Sequence, residues 1–262
     1  MSTKIEWATE TWNPIIGCSK ISPGCQNCYA ERMAVRLANM NHVAYYQAVT
    51  CPGPHQQPNK WNGKTYLVES ALNKPFMWKK PRRIFVCSMS DLFHESVPFE
   101  WISMVYECVA SNPQHTFLFL TKRPERMKSY FDYIQKTFKD AGSQYIQLPN
   151  LYLGVTAENQ EQANKRIPIL LQIPAAKRFV SIEPMLESVT LKQINYLDWV
   201  IVGAESGPGR RECHPEWVSN VVDQCKQSSI PVLVKQLYIN GKKVSLPKIN
   251  GKVYDQYPNN IK

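Results

Sequence analysis

The sequence predicts an α/β fold: a partial (β/α) TIM-like barrel of six to seven mainly parallel strands, with an inserted loop and hairpin region. Three observations carry that expectation. Short apolar runs rich in β-branched and aromatic residues recur along the chain, most of them continuous, as in strands buried on both faces. Helical patterns separate the runs, which implies βαβ units with right-handed crossovers. From the second run onward, strand starts fall about 20–35 residues apart, the length of a βα unit. A chain of 262 residues suits one such barrel.

The strand candidates, in order, are Trp12–Gly17, Ile84–Ser88, Thr116–Leu120, Leu151–Val155, Phe179–Ile182, Trp199–Gly203 and Pro231–Val234. Helical patterns follow the first at Tyr29–Met40, the second at Pro98–Ala110 and the third at Pro124–Ala141. They follow the fourth at Glu158–Ile173 and the sixth at Pro215–Ser228. Pro98, Pro124 and Pro215 fall where a first helical turn begins, a position that tolerates a missing N–H. The stretch Tyr45–Trp78 breaks the rhythm with Cys51-Pro52-Gly53-Pro54, Pro58 and Asn62-Gly63. It reads as an insertion at about residues 44–80, with a small hairpin turning at Asn62-Gly63. Residues 1–237 are then one barrel domain. Residues 238–262 form a C-terminal extension packed on it, with turns at Gly241 and Gly251.

Lys and Arg number 31 against 21 Asp and Glu, a net charge of +10. With 44% hydrophobic and 20% charged residues, the chain can bury a sizeable core, which excludes wholesale disorder. No stretch approaches the roughly 18 apolar residues of a membrane span, so no membrane partner is expected. The opening MSTKIEWATETWNP lacks the apolar segment of a secretory signal. A reducing cytoplasm follows, where eight cysteines read as metal or catalytic groups before disulfides. The positive charge favours an anionic partner, nucleic acid or nucleotide.

In parallel α/β folds chemistry gathers at the carboxyl ends of the strands. Those ends are polar throughout. The first runs into Gly17-Cys18, the second ends in Ser88-Met89-Ser90-Asp91, and the third in Thr121-Lys122-Arg123. The fourth leads to Thr156 and Glu158, and the fifth to Ser181-Ile182-Glu183-Pro184. The sixth ends in Gly203-Ala204-Glu205-Ser206-Gly207 and the last in Lys235-Gln236. A shared site on this rim is expected. Helix capping is the plainer role for Ser90, Asp91 and Thr156.

The sharpest signal is GCSKISPGCQNCYAE, in which Cys18, Cys25 and Cys28 form C-x6-C-x2-C around a Ser22-Pro23-Gly24 turn. Three thiolates suit a zinc site completed by a distant Cys or His. They equally suit a [4Fe–4S] cluster with one iron left open. Cys51 and Cys213, the latter beside His214, are candidates for a fourth ligand, whereas Cys87, Cys108 and Cys225 lie in apolar patterns and read as core. His94 either faces the site or starts a helix.

A cysteine loop after the first strand of a partial barrel resembles the plan of the radical S-adenosylmethionine enzymes, although their usual spacing is C-x3-C-x2-C. The chain is also similar to a family of phage-borne and bacterial proteins described as radical-SAM-like. The segments WNPIIGCSKISPGCQNCYAERMA, KPRRIFVCSMSDLFHE, FLFLTKRPERM, LGVTAENQ, RFVSIEPML, WVIVGAESGPGRR and HPEWVSNVVDQC carry that similarity. It implies that Cys18, Cys25 and Cys28 hold three irons of a [4Fe–4S] cluster. The fourth iron would bind the amino and carboxylate groups of S-adenosylmethionine. An electron donor would reduce the cluster, yielding a 5′-deoxyadenosyl radical. Ser88, Ser90 and Asp91 would meet the methionine ammonium, and Glu158 or Glu183 the ribose. Lys122 or Arg123 would meet the methionine carboxylate or a substrate phosphate. Thr156, Ser181 and Ser206 complete the cofactor-facing set, and Glu205, Lys122 and Glu183 are the catalytic candidates.

The basic residues divide by position. Lys79, Lys80, Arg82, Arg83, Lys177 and Arg178 precede strands and read as solvated surface at the bottom. Lys122, Arg123, Arg126, Arg210, Arg211 and Lys235 follow strands and should ring the top. With Trp7, Trp12 and the insertion's aromatics, that ring could take a nucleic-acid strand by stacking, with the target base flipped or single-stranded. Three functions fit the sequence. One is a radical enzyme that modifies or repairs a nucleic-acid base or nucleotide. The others are a non-enzymatic nucleic-acid-binding protein with a structural zinc, and a radical enzyme acting on a small metabolite.

Overall fold

A computed structural model of the chain describes residues 3, 5–40, 44–51 and 60–258. Seven parallel strands pair in sequence order: β1 (Glu10–Trp12), β2 (Arg83–Val86), β3 (Thr116–Thr121), β4 (Leu151–Thr156), β5 (Lys177–Ile182), β6 (Trp199–Val202) and β7 (Val232–Val234). The sheet curls into a half-barrel. The five helices of eleven or more residues are α1 (Tyr29–Asn39), α2 (Phe99–Ala110), α3 (Pro124–Asp140), α4 (Gln160–Leu171) and α5 (Pro215–Gln227), and three short ones at Ala44–Val49, Glu69–Leu72 and Lys74–Met77 belong to the insertion. Pro124 and Pro215 open their helices, whereas Pro98 sits one residue earlier, as the cap of α2. Asn159 caps α4 by accepting from Gln162 N at 2.9 Å.

Strand alternation sorts the side chains onto two faces. Phe117, Phe119, Leu151, Leu153, Val180 and Val200 belong to the large core beneath the helices. Phe85, Leu118, Tyr152, Phe179, Trp199 and Leu233 fill the concave side. Trp7 plugs that side, its ring 4.6 Å from Phe85. A Cβ at Gly154 would stand 2.5 Å from the Phe179 ring, so glycine there lets this ring lie across the inside of the sheet.

The first apolar run, Trp12–Gly17, is two elements rather than one strand. Trp12 ends β1, Asn13-Pro14 leaves the sheet, and Ile15–Ile16 pairs antiparallel with Tyr66–Leu67. Proline supplies no N–H for a continuing ladder. The insertion also departs from the expected hairpin. A turn does occur at Asn62-Gly63, where Asn62 Oδ1 accepts from Lys64 N at 3.0 Å. Its flanking strands pair elsewhere, however: Lys60–Trp61 with Thr50–Cys51, and Tyr66–Leu67 with Ile15–Ile16. Ile16, Ala34, Tyr46, Val49, Trp61 and Val68 form a second core that seats the insertion on α1. Pro52, Gly53, Pro54 and Pro58 lie outside the described residues.

The C-terminal extension starts at Gln236. It forms two hairpins, Gln236–Ile239 with Lys242–Ser245 and Lys248–Ile249 with Lys252–Val253, turning at Gly241 and Gly251 as expected. Val234 N donates to Tyr254 O at 2.8 Å and Gln256 N to Val232 O at 3.1 Å, which covers the free edge of β7. Among the described residues no helix is long and apolar enough to cross a membrane.

Candidate functional site

One cavity opens at the carboxyl ends of the strands. Cys18, Cys25 and Cys28 line it together with Ser88, Ser90, Asp91, Lys122, Arg123, Thr156, Ser181, Glu183, Glu205 and Ser206. Of the cysteine-loop, cofactor-facing and catalytic candidates, only Glu158 stands outside its wall. The strand-end expectation therefore translates into one place, because a parallel sheet points all its carboxyl ends the same way.

The cysteine loop is stitched to the end of β2. Gly17 N donates to Met89 O at 3.1 Å, and Ser90 Oγ donates to Gly17 O at 2.6 Å. Asn13 Oδ1 accepts from Ser88 Oγ at 3.1 Å and Met89 N at 3.0 Å. Ser88 and Ser90 thus hold the start of the loop. Pro23–Cys25 forms a 3-10 turn, and Cys28 is the N-terminal cap of α1. All three thiols are free and half-buried. Burial pushes the Cys18 thiol up to about 12, with Asp91 adding to the rise and Arg123 opposing it. A metal bound there would have to displace the proton.

Two carboxylates grip the loop from opposite sides. Glu158, fully buried, accepts from Gly24 N at 3.0 Å and from Ser22 Oγ, and pairs with buried Arg166 at 2.7 Å. A Cβ at Gly24 would come within 2.9 Å of that carboxylate, so the close approach requires glycine. Burial pushes the Glu158 carboxyl up, but Arg166 and Lys122 outweigh it and hold it below the usual carboxylate range. Both Glu158 oxygens are engaged in this way, which gives it a loop-holding job. Glu205 accepts from Asn27 Nδ2 at 2.9 Å and is bound by Arg211 through Nη2 at 2.5 Å and Nε at 3.0 Å. Arg211 Nη1 continues to Pro23 O at 2.9 Å. Burial raises the Glu205 carboxyl, and the Arg211 and Asn27 bonds bring it below the usual range.

Arg123 holds the other end of the loop. Its Nη2 donates to Ser19 Oγ at 2.8 Å, its Nε to Glu95 at 3.0 Å, and its Nη1 lies 3.4 Å from Asp91 Oδ2 and 4.0 Å from Cys18 Sγ. Asp91 is saturated as well, accepting from Phe93 N, Thr121 Oγ1 and Lys122 N at 2.6–3.0 Å. His94 faces the loop. Ser96 N donates to its Nδ1 at 3.1 Å, so Nε2 carries the proton and donates to Ser19 Oγ at 2.8 Å. Burial first, then Arg123, holds His94 below its ordinary value.

The remaining candidates face the opening. Lys235 Nζ pairs with Glu183 Oε1 at 2.6 Å, and Gln236 Nε2 donates to the same oxygen at 2.9 Å. Glu183 Oε2 has no hydrogen-bond partner among the described residues. Lys122 Nζ reaches Thr156 Oγ1 at 3.5 Å. Cys51 and Cys213 do not line the cavity. Cys213 packs against the main core, Cys87 and Cys225 are buried, and Cys108 is half-buried. Among the described residues no three His, Cys, Asp or Glu side chains form a group arranged to hold a metal ion.

Two expectations about the rim are corrected. Trp7 and Trp12 are 2% and 0% exposed, packed inside the half-barrel and in the main core, so neither can stack on a base. Three of the six top cations are neutralised: Arg123 by Asp91 and Glu95, Arg211 by Glu205, Lys235 by Glu183. Arg210 stays exposed, 3.8 Å over the Tyr238 ring. At the bottom Lys79 and Lys80 are exposed as expected, while Arg82 and Lys177 pair with Glu10 and Asp198.

Sequence reasoning missed Asn13, Ser19, Ser22, Asn27, Glu95 and Arg166. Only Asn27, inside the C-x2-C pair, carried a local signal, since an amide between two ligands is placed to fix their turn. No curated protein and no solved structure matches the chain. A family model described as "Protein of unknown function (DUF5131)" matches residues 2–258, nearly the whole chain, and the chain therefore belongs to that family.

Proposed function

We propose that the protein is an iron–sulfur, S-adenosylmethionine-dependent radical enzyme built on a half-barrel, acting on a nucleic-acid base or nucleotide. The observation that carries this reading is the convergence of three free, half-buried thiols from one braced loop with the polar ends of six strands on one cavity. The donor set fits the group: three thiolates can hold three irons and leave one position open. Cys18, Cys25 and Cys28 would hold a [4Fe–4S] cluster, its open position facing the amino and carboxylate groups of S-adenosylmethionine. When bound, these groups supply one-electron cleavage of the sulfonium and hydrogen abstraction from substrate.

The chain's own residues bind, orient and exclude water. Glu158, Glu205 and Arg123 fix the backbone of the loop that carries the three thiols, which would close on the cluster as it binds. Thr156, Ser181, Ser206 and Lys122 present donors to the bound ligand. Glu183 Oε2 is the carboxylate oxygen left to accept from a ribose hydroxyl or to take a substrate proton. Trp7, Phe85 and Leu120 line the apolar depth of the same cavity and keep it dry. The net charge of +10 and the exposed Arg210 on Tyr238 support an anionic, base-containing substrate.

The test is anaerobic. The iron-loaded chain with dithionite and S-adenosylmethionine should release 5′-deoxyadenosine, and Cys25→Ala should abolish the release. No release from an iron-loaded wild type contradicts the reading. DNA and RNA binding measured against salt separates the substrates: absence of binding at low salt favours a small metabolite.

A further inference from the structure

A two-stranded ribbon runs outward from the mouth of the cavity. Gln236–Ile239 pairs antiparallel with Lys242–Ser245, which sets Gln236 opposite Ser245, Tyr238 opposite Lys243 and Ile239 opposite Lys242. Directly opposed residues share a face, and the faces alternate along the ribbon. One face turns to the protein interior at Leu237, which is 1% exposed. The other starts at the cavity rim, where Gln236 Nε2 donates to Glu183, and continues to Tyr238 and Lys243. From Gln236 to Asn240 this is about 13 Å of strand.

The ribbon is cationic where it is exposed. From Gln236 to Tyr254 the sequence holds four lysines and no Asp or Glu. Lys242 and Lys243 are exposed, and among the described residues neither forms an ion pair, whereas Lys235 nearer the cavity is paired with Glu183. At the base of the ribbon Ser245 Oγ donates to Glu6 at 2.9 Å. Arg210 is the third exposed cation without an ion pair among the described residues, and it lies flat over the Tyr238 ring. Its backbone neighbours are pinned to the cavity rim. Gly209 O accepts from Asn27 Nδ2 at 2.7 Å, and Arg211 N donates to Glu205 Oε2 at 2.8 Å. Arg210 therefore bridges the cysteine loop and the ribbon, and Tyr238 seats its guanidinium with the outer plane open to a base.

We propose that Arg210, Lys242 and Lys243 form a docking track for the phosphate backbone of a single-stranded polynucleotide, one base of which enters the cavity. The track rests on the reading above in taking the cavity as the ligand site, but it needs no iron. A mononucleotide in the cavity presents one phosphate group and cannot span the ribbon, whereas a strand carries a phosphate at every residue. The base must leave its stack to reach the inside of the half-barrel, and a single strand allows that more readily than a duplex. A lipid surface would need an apolar face, and Ile239 is the one large apolar side chain that the ribbon exposes.

The test is fluorescence anisotropy of the full chain with labelled oligothymidylate and oligouridylate of about 12 nucleotides, over a range of salt. Wild type should bind at least one of them, and the tighter arm separates DNA from RNA. Lys242→Gln/Lys243→Gln should weaken binding about tenfold at low salt. It should also reduce the slope of log affinity against log salt by about 1.4, the share of two phosphate contacts on a single strand. Arg210→Gln should reduce that slope by about 0.7. Lys79→Gln/Lys80→Gln removes the same charge from the opposite end of the sheet, where both lysines are exposed, and should leave the slope unchanged. No binding by folded wild type at low salt overturns the proposal. So does a Lys79/Lys80 pair that matters as much as the Lys242/Lys243 pair. Strand binding through the track by a chain that takes up no iron would keep the track and sink the radical reading. Release of 5′-deoxyadenosine by a chain whose Lys242→Gln/Lys243→Gln variant binds the strand like wild type would do the reverse.

Discussion

Replacing Glu158 by glutamine keeps the size of the side chain and removes its charge, and the structure sets the consequence. The carboxylate is 0% exposed and its partner Arg166 2% exposed, with 2.7 Å between Arg166 Nη1 and Glu158 Oε2. Breaking a buried pair leaves an uncompensated guanidinium, a loss of about 3–5 kcal/mol. The amide oxygen of glutamine can still accept from Gly24 N, so the low end, about 3 kcal/mol, is expected. Urea unfolding at pH 7 reads this as a lower midpoint at unchanged slope. Hydrogen exchange at the Gly24 amide should quicken as well, because that N–H is held by Glu158 at 3.0 Å. The pH dependence has a definite sign. A carboxyl held below its ordinary 4.5 stabilises the fold above that value and loses the contribution as pH falls through its folded value. The gap between wild type and Glu158→Gln should therefore close below about pH 4.5. A loss under about 1 kcal/mol at pH 7, or a gap independent of pH, would refute the argument that this pair braces the cysteine loop.

Three further outcomes follow from particular contacts. Gly154→Ala places a Cβ 2.5 Å from the Phe179 ring and should cost about 1–3 kcal/mol, with Phe179→Leu restoring part of the loss in thermal melts. His94 is held below 6.5, so its neutral form stabilises the fold above that value, and stability should fall as the pH drops below it; His94→Gln should flatten that slope between about pH 7 and 5. Arg123→Lys loses the reach to Glu95, Asp91 and Ser19 together and should destabilise by about 2 kcal/mol or more, despite keeping the charge.

The half-barrel was legible because strands buried on both faces must be continuous apolar runs, and six of the seven runs fall on their strands within about two residues. The first failed at Asn13-Pro14. Its apolar flanks look like one strand, but the proline ends the ladder and Asn13 turns inward to bind Ser88 and Met89. The insertion failed for another reason: a turn signal at Asn62-Gly63 fixes the turn and says nothing about which distant strand each arm will meet. The cysteine loop and the strand ends were legible as positions, because spacing and strand register are local. Their roles were not, because the contacts that assign them are remote. Asn27 meets Glu205 across 178 positions, Ser22 meets Glu158 across 136, and Arg123 meets Ser19 across 104. Glu158 and Glu205, whose rim positions suggested ligand binding or catalysis, both brace the loop, a job that nothing local in the sequence announces. Trp7 and Trp12 mislead in the same way, since an indole reads alike in sequence whether it plugs the sheet or stacks on a base.

The central claim is that Cys18, Cys25 and Cys28 hold an iron–sulfur centre at the mouth of the half-barrel. Metal and acid-labile sulfide analysis of the anaerobically purified and reconstituted full chain tests it most directly. The account predicts about four irons and four sulfides per chain, lost in Cys18→Ala, Cys25→Ala and Cys28→Ala and retained in Cys51→Ala and Cys213→Ala. A colourless protein with one zinc and no sulfide would contradict it.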